Sequence, residues 1–239
     1  MIGRYFASLL CDDTVSPLPK ASGSIGIDLG LTHFAILSTG EKFASPRTFR
    51  QNQKKLDKLQ KSLSRKQKGS RNRTKARLKV ARLHAKITDA RRDFLHKLST
   101  RLIRENQTIS LETLAVKNMS KAAKGTIQNP GKRVRQKSGL NKSILDAGWS
   151  EFVRQLQYKA LWYGREIIGI DRWYPSSKRC SDCGYVLQRM KLSTREWDCP
   201  SCGAHHDRDI NAARNILAAG LAVSALGKAV SRSPRLTHT

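Results

Sequence analysis

Cys180-Ser181-Asp182-Cys183 and Cys199-Pro200-Ser201-Cys202, followed by His206-Asp207-Arg208-Asp209-Ile210-Asn211, decide how the rest of this chain is read. Each pair offers two thiolates on one tight knuckle, and fifteen residues separate the pairs, the length of a short hairpin. That is the ligand count and spacing of a tetrahedral zinc ribbon, with Cys180, Cys183, Cys199 and Cys202 as ligands to one Zn2+. Four thiolates close the coordination shell, so the zinc is expected to be structural and to position the acidic run that follows. His205 and His206 are read as surface or substrate-facing groups. Residues 209–220 read as an Ala-rich helix that Asp209 opens, where the helix dipole favours an ionised carboxylate.

Charge sets the class of partner. The 239 residues carry 46 Lys and Arg against 18 Asp and Glu, a formal net charge of +28. Self-repulsion of this size is tolerated when the partner is a polyanion, and nucleic acid fits best. No apolar run approaches the roughly 18 residues of a spanning helix, so a membrane partner is not expected. The opening apolar stretch is too short for a signal peptide and reads as a strand over 3–10. Cys11, left over from the metal set, reads as an inert thiol in a reducing compartment, and the expected location is the bacterial cytoplasm.

Strands are expected within 23–47, at 107–112 and at 166–171. Between Arg47 and Arg104 the composition turns to Lys, Arg, Gln and Leu. Leu56, Leu59 and Leu63, then Leu83, Ile87, Ala90, Phe94 and Leu98, keep helical spacing on either side of Gly69-Ser70, which predicts two antiparallel basic helices. Acids are too scarce there to pair the charge. Lys54, Lys58, Lys61, Arg65, Arg71, Arg73, Lys75 and Arg82 are therefore candidate phosphate contacts, joined by Lys178 and Arg179 beside the ribbon. The segment Lys117 to Lys142 reads as a mobile loop. A helix is expected to begin at Ser143, capped by Asp146, with Leu145, Trp149, Phe152, Leu156, Ala160 and Tyr163 as its buried stripe. Trp149 and Trp162 are read as core residues.

Three acids stand out by position: Asp28 and Glu112 each end an apolar strand, and Asp209 opens a helix. Singly, each is most simply a solvent-facing residue. Together they are the set that could hold two divalent cations roughly 3.5–4 Å apart for phosphodiester hydrolysis. Oxygen ligands favour Mg2+ or Mn2+.

Gly26-Ile27-Asp28-Leu29-Gly30, Leu111-Glu112-Thr113-Leu114 with Lys117-Asn118-Met119, and Asp207-Arg208-Asp209-Ile210-Asn211-Ala212-Ala213-Arg214-Asn215-Ile216 resemble the three RuvC motifs of TnpB (OrfB) proteins, nucleases of bacterial insertion sequences. Leu140 to Trp149 and Cys180 to Gly184 extend the resemblance over roughly residues 20–218. It implies an α/β, RNase H-like (RuvC) mixed sheet flanked by helices, with a basic helical hairpin insertion and a zinc ribbon inserted before the last helix. It also implies Asp28, Glu112 and Asp209 as the metal-binding catalytic set, with Asp207 as a cap or supporting group. The implied partners are a DNA target and a guide RNA, with no small-molecule substrate. Of the family's usual N-terminal portion, only Gly3-Arg4-Tyr5-Phe6 has a counterpart here.

The resulting organisation is a residual strand and linker at 1–22, a nuclease core at 23–175 with its basic insertion at about 48–104, the ribbon at 176–205, the last motif and helix at 206–220, and a flexible tail at 221–239. Two other readings stay open. A nuclease-inactive transposon protein could still bind RNA or DNA through the basic helices. Gly26 to Gly30 also resembles the first phosphate loop of actin-like ATPases, although no second Asp-x-Gly loop accompanies it.

Overall fold

The computed structural model describes residues 5–226. Ser24–Leu29 (β1), His33–Leu37 (β2) and Lys42–Ala44 (β3) form an antiparallel meander. Thr108–Glu112 (β4) and Glu166–Ile170 (β5) continue the sheet parallel to β1, giving the order β3-β2-β1-β4-β5. Parallel neighbours need long crossovers. The first carries Thr48–Ser64 (α1) and Arg71–Glu105 (α2); the second carries Val116–Met119 (α3), Val134–Ala147 (α4) and Trp149–Tyr163 (α5).

The period of two along β1 and β4 sorts the sheet's faces. Ile25, Ile27, Ile109 and Leu111 bury against Leu95, Leu98, Leu102 and Ile103 of α2 and against Trp149, Phe152 and Leu156 of α5. The other face carries the last helix, Arg208–Ala225 (α6). Gly26 lies there because α6 leaves no room for a side chain: a Cβ would stand 2.1 Å from the Ala213 carbonyl oxygen. Gly220 of α6 answers it, since a Cβ there would stand 1.9 Å from Ser110 Oγ. Between β5 and α6 the chain builds a second, two-stranded sheet from Glu196–Asp198 (β6) and His205–Asp207 (β7).

The basic helices form as their leucine spacing predicts. Leu56 of α1 packs on Leu83 and Ile87 of α2, with Leu59 and Val80 beside them. Ser70 caps α2 by accepting from the Arg73 N–H. Ala90, however, is exposed, because the buried stripe passes through Leu95 instead.

Several expectations are corrected. Residues 5–10 are not a strand: Tyr5, Phe6, Leu9 and Leu10 lie open to solvent, and among the described residues no strand pairs with them. Residues 3 and 4 fall outside the described residues. The segment 117–142 is not one loop, since α3 occupies its start and α4 begins at Val134. Ser143 is therefore interior to α4, and its hydroxyl donates to the Gly139 carbonyl.

Asp146 does not cap its own helix. Its carboxylate accepts from the Phe49 and Arg50 N–H groups and the Thr48 hydroxyl, capping α1 from across the fold, and it also meets Arg91. The helix expected from Ser143 onward is broken at Gly148, whose φ of 74° turns the chain. The phase shift leaves Leu145 exposed and buries Ile144 and Ala147 in its place. Trp149 is core, as read, but Trp162 is half-exposed and stacks edge-on with Tyr158. Helix α6 continues through Ala225, so 221–225 is not a frayed tail; residues 227–239 lie outside the described residues.

Candidate active site and metal centre

The β1–β4 register pairs Ile27 with Leu111, so the next residues along the two strands are Asp28 and Glu112. Parallel neighbours lie about 4.8 Å apart. The two carboxylates therefore project side by side from the C-terminal ends of adjacent strands, on the face that α6 covers. Asp209, in the first turn of α6, points into the same region. Burial first, then the neighbouring Glu112 and Asp209 carboxylates, push the Asp28 carboxyl up to about 7. Burial also raises Glu112, against the opposing hydrogen bond from the Ser176 hydroxyl.

Asp209 and Glu112 are each held by a partner that sequence reasoning did not assign. Arg208 donates from Nε and Nη2 to one oxygen of Asp209, at 2.9 and 2.7 Å, and from Nη1 to the Leu192 carbonyl. Ser176 reaches Glu112 because Asn211 and Asn215, one turn apart on α6, donate to the Ser176 and Arg179 carbonyls and pin that loop. Both asparagines lie within the motif quoted for Asp209, and their helical spacing of four was the available signal. Asp207 is the N-cap of α6, accepting from the Asp209 and Ile210 N–H groups, and it pairs with Lys42 of β3 at 2.6 Å. The three carboxylates do not draw as close as a shared cation would bring them: among the described residues, only the four cysteines form a group of ligand atoms all within 4.8 Å of one another.

The cysteine group fits a metal such as zinc. Cys180 and Cys202 sulfurs lie 3.7 Å apart, and those of Cys183 and Cys199 lie 3.6 Å apart. Four sulfurs each about 2.3 Å from one zinc would be separated by about 3.8 Å along the edges of the tetrahedron. Gly184 and Gly203 follow the second cysteine of each knuckle with φ of 80° and 73°, which turns the chain away from the ligand cluster. The reading of His206 as a surface group is corrected: it is buried, rests against the Trp197 ring, and its Nε2 lies 3.0 Å from Cys180 Sγ. His205 is exposed, as read, and bonds Asp198.

Of the candidate phosphate contacts, Lys54, Lys58, Lys61, Arg65, Arg71, Lys75 and Arg82 are exposed. Arg73 is not free for that purpose, since its guanidinium closes the α1–α2 turn on the Leu63 and Lys66 carbonyls. Lys178 and Arg179 are half-buried beside the ribbon. No helix is long and apolar enough to cross a membrane among the described residues.

Comparison with known proteins bears on the family of the chain. A family model for the OrfB proteins of IS605-type elements, described as "Probable transposase", matches residues 8–123, and the Cas12f1-like TNB domain matches 149–216. A Streptomyces pristinaespiralis protein named "Putative RNA-guided DNA endonuclease" is 54% identical over 228 residues, covering 95% of this chain and 53% of that protein. InsQ of Escherichia coli K12, likewise named, is 44% identical over 229 residues, covering 95% of this chain and 57% of its own length. The chain thus spans about half the length of these curated relatives. In fold, it resembles the Cas12f1 protein of a Cas12f1–sgRNA–target DNA complex, with a TM-score of 0.55 at 20% identity, covering 85% of this chain and 40% of that one. The mini RNA-guided endonuclease Cas-phi3 gives a TM-score of 0.50 at 12% identity, over 83% and 44% of the two chains. Two family models that between them take in both the strand-borne acids and the ribbon, together with relatives of this identity, place the chain in the OrfB (TnpB) family.

Proposed function

We propose that this chain is the catalytic part of an RNA-guided DNA endonuclease, and that Asp28, Glu112 and Asp209 hold two Mg2+ or Mn2+ ions at which a phosphodiester is hydrolysed. The observation that carries the proposal is the convergence of two carboxylates at adjacent parallel strand ends with a third at a helix start, where burial first and then the two neighbouring acids raise Asp28 to about 7. A buried carboxyl raised to about 7 is one that a cation would ionise. Once bound, such ions supply an activated water and charge stabilisation of the leaving oxygen.

The protein's own groups prepare the site. Ser176 orients Glu112, Asp207 fixes the start of α6 so that Asp209 faces the strands, and Arg208 balances the Asp209 charge, a part that a bound cation would share. The sheet order with its antiparallel meander and two parallel strands supports an RNase H-like (RuvC) core over about 23–175. Within it, α1 and α2 are a basic hairpin insertion, and the ribbon at 176–205 is a zinc-bearing insertion before the last motif. The exposed lysines and arginines of α1 and α2 suit a nucleic-acid backbone. The names of the relatives support a guide RNA and a DNA target as partners.

The test is cleavage of single- and double-stranded DNA in Mg2+ by the chain and by Asp28→Ala, Glu112→Ala and Asp209→Ala. The expected result is cleavage that each substitution abolishes while nucleic-acid binding persists. Binding without cleavage in the unaltered, metal-loaded chain would favour the nuclease-inactive reading instead.

A further inference from the structure

The loop Asp171-Arg172-Trp173-Tyr174-Pro175 displays the most exposed tryptophan among the described residues, and it does so beside the carboxylates. Trp173 is 79% exposed, whereas Trp149 and Trp197 are buried. Both ends of the loop touch Glu112: Ile170 is its register partner on β5, and Ser176 donates to its carboxylate. Three residues of chain reach no further than about 11 Å, which keeps Trp173 near the proposed reaction centre.

This exposure is built rather than incidental. Asp171 Oδ1 accepts the Trp173 N–H at 2.7 Å, and the Tyr174 N–H bonds the Asp171 carbonyl, fixing a tight turn. Tyr174 turns inward onto Ile168, Ile170 and Ile216, while Asn211 and Asn215 pin the chain just beyond. Trp173 is thus held outward on a rigid frame. The Arg172 guanidinium lies 4.9 Å from the centre of its ring, adding positive charge to the platform. A flat aromatic face with a guanidinium against it, on a chain of net charge +28, suits a π-stacking anion.

We infer that Trp173, backed by Arg172, is a stacking platform for one unpaired nucleobase of the strand that runs past Asp28, Glu112 and Asp209. The inference rests on the proposed nuclease reading, but its mechanism is independent of metal. Stacking on a base ignores sequence, since every base has a π face, and it requires the base to be out of its duplex. Trp173 then acts as a positioning residue, fixing the register of the strand while the basic residues hold its backbone.

The test uses the full chain carrying Asp28→Ala, in EDTA-free buffer without added divalent cation, so that cleavage and catalytic metal play no part. Fluorescein-labelled oligo-dT and oligo-U of twelve nucleotides, and the same backbones with one run of abasic sites, are titrated with the protein. Base-bearing strands should bind more tightly than abasic ones. Trp173→Ala should remove about 5- to 100-fold of that affinity and erase the difference between base-bearing and abasic strands. Trp173→Phe should retain most of it, and the salt dependence should not change, because no phosphate contact is lost. The dT and U arms report which sugar the platform accepts. A preference for base-bearing strands that survives Trp173→Ala unchanged would overturn the inference, whether or not the nuclease reading holds.

Discussion

Asp28 carries the largest carboxylate perturbation of the proposed site. Its folded carboxyl is raised from 3.8 to about 7, so the metal-free folded state binds a proton that the unfolded chain has released. Stability from this group is therefore full below about 4 and declines as pH rises to 7, the reverse of a salt-bridged aspartate. Asp28→Asn should stabilise the metal-free protein at pH 8 by an amount on the order of 2 kcal/mol, and by little at pH 4; thermal melts at the two pH values check this. Conversely, divalent cations should bind more tightly as pH climbs through this window, with a proton released that calorimetry in two buffers would register. The four cysteines, a group that fits a metal such as zinc, carry a second residue-scale prediction. Stripping the metal, or Cys199→Ser, should lose amide protection across 176–205, and protection retained there in metal-free protein would contradict a folding role. Position in sequence was enough to bring Asp28 and the four cysteines forward as candidates, and the cysteines do gather into one group of ligand atoms. It was not enough for His206, because nothing in a His-His pair says which ring turns inward to Trp197 and Cys180.

Elements were legible where period and punctuation agreed. The sheet strands of 23–47, 107–112 and 166–171 and the two basic helices follow from alternation or leucine spacing. Misreadings arose where a distant partner decides. Asp146 looked like a local cap three residues after Ser143, yet its carboxylate serves the N-terminus of α1, where Arg47 brings no side-chain cap. Asp146→Ala should cost about 2 kcal/mol and fray α1 first, seen as faster amide exchange over 48–52. Similarly, one left-handed glycine, Gly148, was enough to put Leu145 outside and Ile144 inside. Residues 5–10 have the composition of a strand, but they pair with neither edge of the sheet, β3 or β5. The close approach of α6 gives a sharper element-scale test. Gly26→Ala would drive a Cβ into the Ala213 carbonyl, so it should cost about 1–3 kcal/mol and weaken divalent-cation binding by tilting Asp209 away. An unaltered melting temperature together with unaltered cation affinity would show that the helix is less tightly seated.

For the whole molecule, charge was the most readable property and the least specific. A formal +28 predicts nucleic-acid affinity that falls steeply with salt, by tens-fold or more between 50 and 200 mM if several phosphates are neutralised; a flat response would mean the basic helices do not touch the backbone. Motif order carried the family assignment, because the strand-borne acids, the cysteine knuckles and the closing helix start each lie in a recognisable context. The supporting network was not readable in advance: Ser176 on Glu112 and the Asn211 and Asn215 clamp join segments distant in sequence, and adjacency alone did not say that the Arg208 guanidinium would fold back onto Asp209. All of it converges on one physical statement, that three separated acids form a single cation site. Mn2+ titration of the zinc-loaded chain, followed by electron paramagnetic resonance, tests this directly because it asks nothing of guide or target. The account predicts saturable Mn2+ binding that Asp28→Ala, Glu112→Ala and Asp209→Ala each weaken severely with zinc content unchanged. Binding that survives all three substitutions at full strength would contradict it.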